Sequence, residues 1–453
     1  MHLRVTRVDL FERDVVLRLP FRFGVVTLTA APQAFARVRV RLDDGREAEG
    51  ASAELLAPKW FDKDPALTNE DNFDQLRRSS LAAREAYLGH EPRTAWAHAS
   101  PARGLVQNFG PALLDRAVLD ALCRALGVSF YDAVRRNVVG APPVEGIDLG
   151  AFFATLSPAP RIAARHTVGL LDRINAADPG PRADDGLPET LEEVVARYGH
   201  RYFKLKVGGD ARADVERLCA IAGVLDRISE PWHVTLDGNE QYDDFGGVAE
   251  LWARMTGEVR LVRLVASVLF IEQPVKRQKT LAARVEGVDS PVVIDESDDA
   301  LDAYPRARAL GYRGVSSKTC KGIYKSLLNA ARCREWNRER GSDPLYFMSG
   351  EDLTLQAGIA VQQDLALVSL LGLTHVERNG HHYVNGMAGL PQAEQAAFLA
   401  GHPDLYEQSH GAARLRIRDG LLELGSLAGP GYASRAQPDW NAMREMRMQK
   451  ASA

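Results

Sequence analysis

The fold is decided by five short apolar runs, each of which ends on an ionisable residue: Tyr202-Phe-Lys-Leu-Lys206, His233-Val-Thr-Leu-Asp237, Val268-Leu-Phe-Ile-Glu272, Val292-Val-Ile-Asp295 and Gly314-Val-Ser-Ser-Lys318. Their last residues follow one another at intervals of 31, 35, 23 and 23 residues, about one strand and one helix each. Residues at the carboxyl ends of successive parallel strands converge on one mouth of a barrel, where such folds place their chemistry. The runs therefore predict an α/β barrel with three carboxylates between two lysine sites.

The chain on either side of these runs follows other patterns. Residues 36–42 alternate with period two, and with residues 3–19 they predict a small antiparallel sheet. A helix is predicted over residues 111–126, closed by Gly127. Together these elements indicate an α+β module.

Strand, turn and helix then alternate, with later strands predicted at 345–349 and 374–377. Beyond about residue 395 this rhythm is lost. We therefore predict an α+β domain over 1–142, a barrel over 143–395, and a C-terminal segment, 396–453, that folds back on the first domain.

Composition excludes several functional classes. The chain has 453 residues and a formal net charge of -4, with acidic and basic residues interspersed, so no surface for nucleic acid or membrane is expected. No stretch approaches the roughly 20 apolar residues of a membrane span. The charged, alternating N-terminus and four cysteines without CxxC spacing indicate a cytoplasmic protein with buried, reduced thiols.

The three carboxylates Asp237, Glu272 and Asp295 offer only oxygen ligands, with no cysteine or histidine nearby. This donor set favours Mg²⁺ over zinc or copper and leaves coordination sites for substrate. Asn239 and Glu296 lie close in sequence and are candidates for orienting the ligands. Any one carboxylate alone would be read as an ordinary strand-end residue, but three at matching positions favour a metal site.

The lysines are the candidate acids and bases. Lys204 and Lys206 are two residues apart on a strand, so they point to the same side, into the barrel mouth. Lys318 ends a strand across the barrel. Lysines are usually solvated, but an inward-facing apolar strand is an unusual place for them. Two amines beside a divalent cation suit removal of the proton α to a carboxylate.

At these positions the chain resembles the enolase superfamily, whose members use a Lys or His base with Mg²⁺. The resemblance rests on Lys204-Leu-Lys206, Asp237-Gly-Asn239, Glu272-Gln-Pro274, Asp295-Glu-Ser297 and Lys318. It implies a modified TIM barrel, (β/α)7β, beneath an N-terminal α+β capping domain. It also implies that Lys206 and Lys318 form the acid/base pair on opposite sides of the substrate, while the three carboxylates bind Mg²⁺.

The paired lysines make the chain similar to the muconate lactonizing enzyme-like branch of the mandelate racemase/muconate lactonizing enzyme family. Residues 348–352 lack the histidine that the mandelate racemase type uses. The GG pair that usually follows the sixth-strand lysine is a single glycine here, which makes Lys321 a rival to Lys318. The eighth-strand end lacks the DxD of dipeptide epimerases, which counts against a dipeptide substrate, and Glu377 is expected to bind the substrate carboxylate or a lysine.

Two features of lower specificity remain. In the family, two capping-domain loops close over the substrate, which makes Arg22, Lys59 and Trp60 candidates for contacting its distal part, although a structural role is equally open. The pair His381-His382 suggests either a second metal or, more commonly, a structural role.

The resulting expectation is an isomerase or lyase that abstracts the proton α to a carboxylate through an enediolate. A racemase, an epimerase or a cycloisomerase leads; a dehydratase of a hydroxy or sugar acid is the alternative, and a non-catalytic metal-binding relative is the remote one. The expected partners are Mg²⁺, a small-molecule carboxylate and a second copy of the chain in a homo-oligomer.

Overall fold

The N-terminal region forms a long antiparallel hairpin with a third strand beside it. The computed structural model describes residues 1–24, 26–99, 103–341 and 343–448. Its first sheet contains β1 (Leu3–Phe23), β2 (Val26–Leu42) and β3 (Glu47–Leu55), with β2 in the middle. Leu3 pairs with Leu42 in the antiparallel register, and the turn between β2 and β3 contains Gly45, whose φ is +86°.

Four helices follow this sheet: α1 (Asn69–Gly89), α2 (Ala95–His98), α3 (Leu105–Leu126) and α4 (Phe130–Arg135). Helix α3 ends as predicted at Gly127, which has φ 66° in the left-handed region. It begins earlier than predicted, and Pro111 lies within it. Because proline cannot donate to the Gln107 carbonyl one turn before it, that carbonyl accepts a bond from Ser79 Oγ at 3.0 Å instead.

The barrel has eight parallel strands. They are β4 (Arg161–Val168), β5 (Tyr202–Lys206), β6 (His233–Asp237), β7 (Val268–Glu272), β8 (Val292–Ile294), β9 (Gly314–Ser317), β10 (Phe347–Gly350) and β11 (His375–Glu377). Neighbours in sequence are neighbours in the sheet, and β11 pairs with β4 to close it.

Helices cover the outside of the barrel. After α5 (Leu149–Ala154), the seven connections between strands contain α6 (Leu191–Tyr198), α7 (Ala211–Leu225), α8 (Phe245–Gly257) with α9 (Val262–Ala266), α10 (Arg277–Thr280), α11 (Ala303–Ala309), α12 (Ile323–Arg340) and α13 (Ile359–Leu370). This order is the expected (β/α)7β barrel, and the predicted fold class is confirmed.

The first barrel strand, β4, is the one strand of the barrel that was not predicted from the sequence. Its sequence is interrupted by Arg165, His166 and Thr167, so it lacks the apolar run that identified the later strands. Arg165 is nevertheless fully buried, because it forms an ion pair with Glu351 inside the barrel. A polar barrel interior therefore removed the signal on which the prediction depended.

The chain after the barrel contacts both earlier parts. Its elements are α14 (Gly380–Tyr383), α15 (Gln392–Gly401), β12 (Tyr406–Ser409), β13 (Ala412–Leu415), β14 (Leu421–Glu423) and β15 (Arg444–Glu445). Strand β14 pairs with β4, and β15 pairs with β1 through Phe11 and Glu445. The Trp440 ring packs against Phe11 in a tilted arrangement, with ring centroids 5.4 Å apart. The domain bounds given above stay a prediction, and residues 449–453 lie outside the described part.

Two expectations about the class of protein can be compared with the fold. All four cysteines are buried and free, as predicted. In the described part of the chain, no helix has both the length and the apolar character needed to cross a membrane.

Candidate active site

Five neighbouring strands bring the predicted residues to one mouth of the barrel. Lys206, Asp237 and Glu272 end β5, β6 and β7, while Asp295 and Lys318 directly follow β8 and β9. Because β5 and β9 are four positions apart in a closed barrel of eight strands, the two lysines lie on opposite sides of it. The carboxylates occupy the three strands between them, and all five side chains are buried.

Lys204 lies deeper, at the centre of a ring of acids. Its Nζ is 2.9 Å from Asp237, 2.7 Å from Glu272, 2.7 Å from Glu351 and 2.9 Å from Glu377. Burial acts to lower the pKa of Lys204, but these four carboxylates outweigh it and hold the pKa well above its ordinary value. Lys204 is therefore a fixed positive charge that holds the acids together.

Lys206 faces the cavity one step above Lys204. Its Nζ donates to Asp237 Oδ2 at 2.6 Å and to Asn239 Oδ1 at 2.7 Å. The backbone N–H of Asn239 donates to Asp237 Oδ1 at 2.8 Å, and its side-chain amide donates to Glu296 Oε1 at 3.2 Å. Asn239 thus contacts both Asp237 and Lys206, whereas Glu296 contacts Asn239 and reaches Asp237 only through it.

Lys318 and Lys321 both contact Asp295, from different sides. Lys318 Nζ lies 2.5 Å from Asp295 Oδ2, whereas Lys321 Nζ lies 3.3 Å from Oδ1 and bonds Ser316 Oγ at 2.7 Å. Lys321 also pairs with Asp298 at 3.2 Å. Of the two, Lys318 lines the cavity above the mouth, which supports Lys318 for the acid/base role.

Of the three predicted metal ligands, Glu272 is the one with the fewest neighbouring positive charges, since in the described part of the chain it pairs with Lys204 alone. Among the described residues, neither of its buried oxygens has a hydrogen-bond partner, and the ion pair with Lys204 lacks hydrogen-bond geometry. Burial and the negative charges of Asp237 and Glu351 raise the pKa of Glu272 well above its ordinary value. A divalent cation beside these oxygens would offset that repulsion. The all-oxygen donor set and the unpartnered oxygens therefore fit Mg²⁺.

A narrow cavity lies above the mouth, closed by the capping domain. The capping side chains that line it are Phe21, Phe23, Leu28, Ala57 and Trp60. The barrel contributes Lys204, Lys206, Asn239, Lys318, Asp352, Leu353, Thr354, Glu377 and Asn379. The Trp60 ring centroid is 4.4 Å from Lys318 Nζ, and that of Phe21 is 5.9 Å from Lys206 Nζ.

Comparison with known proteins agrees with this arrangement. Residues 186–437, more than half of the chain, match the family model for the enolase C-terminal domain-like fold, MR_MLE_C. The chain belongs to this family. The matched region includes barrel strands β5 to β11, the three predicted metal ligands and the four barrel lysines Lys204, Lys206, Lys318 and Lys321. No curated protein matches the chain.

Solved structures of this superfamily share the whole fold. Muconate lactonizing enzyme from Mucobacterium Smegmatis, complexed with muconolactone, is 18% identical, with 97% of this chain and 98% of that chain covered and a TM-score of 0.61. 2-Chloromuconate cycloisomerase from Rhodococcus opacus 1CP is 16% identical, with 97% of this chain and 98% of that chain covered and a TM-score of 0.62. An enolase from Bradyrhizobium, complexed with magnesium and mandelic acid, is 17% identical, with 98% of each chain covered and a TM-score of 0.61. The predicted relationship and the expectation of an isomerase or lyase are confirmed at the level of the family.

Two of the proposed substrate contacts lie elsewhere. Arg22 is exposed, because along β1 its neighbours Phe21 and Phe23 point into the cavity and alternate side chains point outward. Lys59 Nζ donates to the carbonyls of Asp64 at 2.6 Å and Leu67 at 2.5 Å, within its own loop. Within the described residues, neither side chain lines the cavity, whereas Trp60 does.

Glu377 does line the cavity, and it contacts a lysine. Besides Lys204, it accepts bonds from Thr167 Oγ1 at 2.5 Å and the Asp352 N–H at 2.9 Å. Burial acts to raise the pKa of Glu377, but Lys204 and Lys206 hold it below its ordinary value.

Sequence reasoning missed several polar groups at the mouth. Lys63, from a capping loop, lies 2.5 Å from Glu240 and 3.5 Å from Glu296, and donates to the Asn239 carbonyl at 2.6 Å. Glu351 directly follows β10, in the segment that lacks the histidine of the mandelate racemase type. Glu351 could have been predicted, because it is a carboxylate directly after the seventh barrel strand. Lys63 lies in a loop without a regular sequence pattern, so nothing in the sequence indicated its place at the mouth.

Proposed function

We propose that the protein abstracts the proton α to the carboxylate of a small-molecule substrate, with Lys206 and Lys318 as the acid/base pair. The observation that carries the proposal is the arc at the barrel mouth: two buried lysines on opposite sides, with three carboxylates between them. The site therefore offers an amine to each face of a substrate bound between the lysines.

Asp237, Glu272 and Asp295 are the proposed ligands of Mg²⁺. When bound there, Mg²⁺ would hold the substrate carboxylate and stabilise the negative charge that develops as the α-proton leaves. Asn239 and Glu296 orient Asp237 and Lys206 through the hydrogen bonds described above. Lys204, held by four carboxylates, keeps the strand ends at fixed distances and takes no proton from the substrate.

Each amine has a defined position for proton transfer. Lys206, in its neutral form, accepts a proton from one face, and Lys318, in its charged form, donates to the other. The Asp295 carboxylate fixes Lys318 beneath the Trp60 ring, which excludes water from that side. Exchanging these protonation states runs the transfer in the opposite direction.

The capping side of the cavity indicates the substrate class. Phe21, Phe23, Leu28 and Trp60 offer apolar surface, and the indole Nε1 of Trp60 is itself buried. A distal group held there makes few hydrogen bonds, which favours a carboxylate with an apolar or aromatic substituent over a polyhydroxylated sugar acid. This lining favours racemisation, epimerisation or cycloisomerisation over dehydration of a sugar acid.

The test is deuterium uptake at the α-carbon in D₂O with Mg²⁺, over a panel of amino acids, N-acyl amino acids, lactones and sugar acids. Deuterium uptake is expected with the apolar members of the panel. It should disappear in the double variant that carries both Lys206→Ala and Lys318→Ala. In a racemase or epimerase, each single variant loses exchange on its own face. Lys276→Ala, an exposed lysine paired with Asp243, is the matched control and should exchange normally. Exchange that survives both active-site changes would show that these lysines are not the bases.

A further inference from the structure

A second cluster of ligating side chains lies behind the barrel wall. His166 is on β4, His200 directly precedes β5, and His381 is in α14. Since Arg165 and Thr167 point into the barrel, His166, between them, points outward. One ring nitrogen from each of the three histidines lies within 4.8 Å of those of the other two. The cluster therefore joins the first two barrel strands to the segment after β11, at the seam where the barrel closes.

Four of the six ring nitrogens of this cluster are buried and lack a hydrogen-bond partner within the described residues. They are His166 Nδ1, His200 Nε2 and both nitrogens of His381, none of which has a hydrogen bond of acceptable geometry. His166 is 2% exposed and His200 is 0% exposed. Leaving such groups without partners in a core costs free energy, so their convergence calls for a ligand.

The hydrogen bond of His200 selects the tautomer that a metal needs. His200 Nδ1 lies 2.9 Å from the Ala164 carbonyl, which can only accept, so Nδ1 carries the proton. The lone pair is then on Nε2, the nitrogen that faces the cluster. Metal-ligating histidines commonly donate their other ring N–H to a carbonyl in this way.

The spacing of the three rings matches a shared ion. Their centroids are 5.3 Å apart for His166 and His200, 5.6 Å for His166 and His381, and 5.5 Å for His200 and His381. With a Zn–N bond of about 2.1 Å and a ring nitrogen roughly 1.1 Å from the ring centre, three imidazoles around a tetrahedral ion have centroids about 5.2 Å apart. Rotation of the three rings, with only a small shift of their centres, would therefore bring one nitrogen of each to bonding distance from a shared ion.

The chemical state of the rings suits the same ligand. Burial, together with the neighbouring histidines, lowers the pKa of His166 and His381 well below the ordinary value, and burial lowers that of His200 to about 4. All three rings are neutral near pH 7, which is the form that coordinates metals. Tyr198, Glu407 and Arg414 line a narrow cleft that also has His381 in its wall.

We propose that His166, His200 and His381 bind a transition-metal ion of the zinc class at the barrel seam. Imidazole ligands select zinc, copper, nickel or iron, whereas the all-oxygen mouth selects magnesium, so the two sites differ in chemistry. This inference is independent of the proposed reaction.

The test uses the full-length chain without a histidine tag, stripped with chelator and kept in excess Mg²⁺. Titration with Zn²⁺ should show one tight equivalent, and Co²⁺ as a probe should give the visible absorption of a nitrogen-ligated site. His381→Phe and His200→Asn should each weaken Zn²⁺ binding at least tenfold. Glu272→Gln, at the barrel mouth, and His410→Phe, an exposed histidine outside the cluster, should retain it.

A second measurement does not depend on the variants folding. X-ray absorption of the zinc-loaded wild-type chain should show three imidazole nitrogens at about 2.0–2.1 Å. The proposal is overturned if no zinc binds beyond the Mg²⁺-competed site, or if zinc is lost in Glu272→Gln but kept in the histidine variants. An absorption spectrum with oxygen ligands alone would also overturn it, and the cluster would then be a packed group of neutral histidines.

Discussion

Glu54 connects the capping sheet to the barrel beside the candidate acid/base lysine, and its titration should be visible in the stability of the protein. The side chain is 1% exposed; it pairs with Arg116 at 3.0 Å and accepts a bond from Thr319 Oγ1 at 3.2 Å. Burial, aided by the negative charge of Asp364, raises its pKa to about 7, although Arg116 opposes the shift. In the unfolded chain the pKa of Glu54 returns to its ordinary value of 4.5.

The sign and size of the effect follow from these two values. Between pH 4.5 and pH 7, Glu54 holds more protons in the folded protein than in the unfolded chain. Its contribution to the free energy of unfolding is therefore fully present below about pH 4.5 and declines as the pH rises through 7. A difference of about 2.5 pKa units corresponds to roughly 3 kcal/mol, an upper value for a group with some freedom to relax. Glu54→Gln keeps the shape of the protonated acid and removes the titration.

The assay is urea unfolding of the wild type and of Glu54→Gln at pH 5, 6, 7 and 8. The variant should gain stability relative to the wild type as the pH rises, by up to about 3 kcal/mol across the series. Glu49→Gln, on the same strand but exposed, is the control and should show little pH dependence in the difference. The reasoning would be refuted if the free energy of unfolding of Glu54→Gln, relative to that of the wild type, stayed constant with pH or rose as the pH fell.

Two further predictions concern charge and packing. Lys204→Met leaves the surrounding carboxylates without their shared counter-ion, so in the absence of Mg²⁺ it should lose about 3–5 kcal/mol of stability. Mg²⁺ should then raise its thermal midpoint more than that of the wild type; equal shifts would contradict the counter-ion role. Gly50→Ala places a Cβ 2.2 Å from the backbone nitrogen of Ala121 in α3, so we expect a loss of about 1–3 kcal/mol or more in the same thermal assay. Gly89→Ala, with nothing within 4 Å, is its control, and equal stability of the two variants would contradict the close contact.

Much of the barrel could be predicted because its strands carry two signals at once. The runs that end at Lys206, Asp237 and Glu272 are apolar and end on a charged residue, and their predicted bounds are those of β5, β6 and β7. Strand β4 lacks the apolar run, because its residues Arg165 and Thr167 face a polar barrel interior. Its partners, Glu351 and Glu377, are more than 180 residues away in sequence, and no local pattern announces such pairs.

The capping contacts show the same limit. The family resemblance pointed to two segments that border the cavity, yet Arg22 and Lys59 lie outside it, while Phe21 and Phe23 line it. Which of two adjacent side chains faces the site depends on the phase of β1 against the barrel, and that phase is set by packing between distant segments.

By itself, the sequence determined the barrel, the order of the five ionisable strand ends and therefore the oxygen-rich mouth between two lysines, because parallel strands in sequential order bring their carboxyl ends together. Only the tertiary structure decided that Lys318 rather than Lys321 lines the cavity, that Lys204 is held by four acids, and that three distant histidines meet behind the seam. Those facts depend on distances across the closed barrel, and barrel closure is a property of the whole chain.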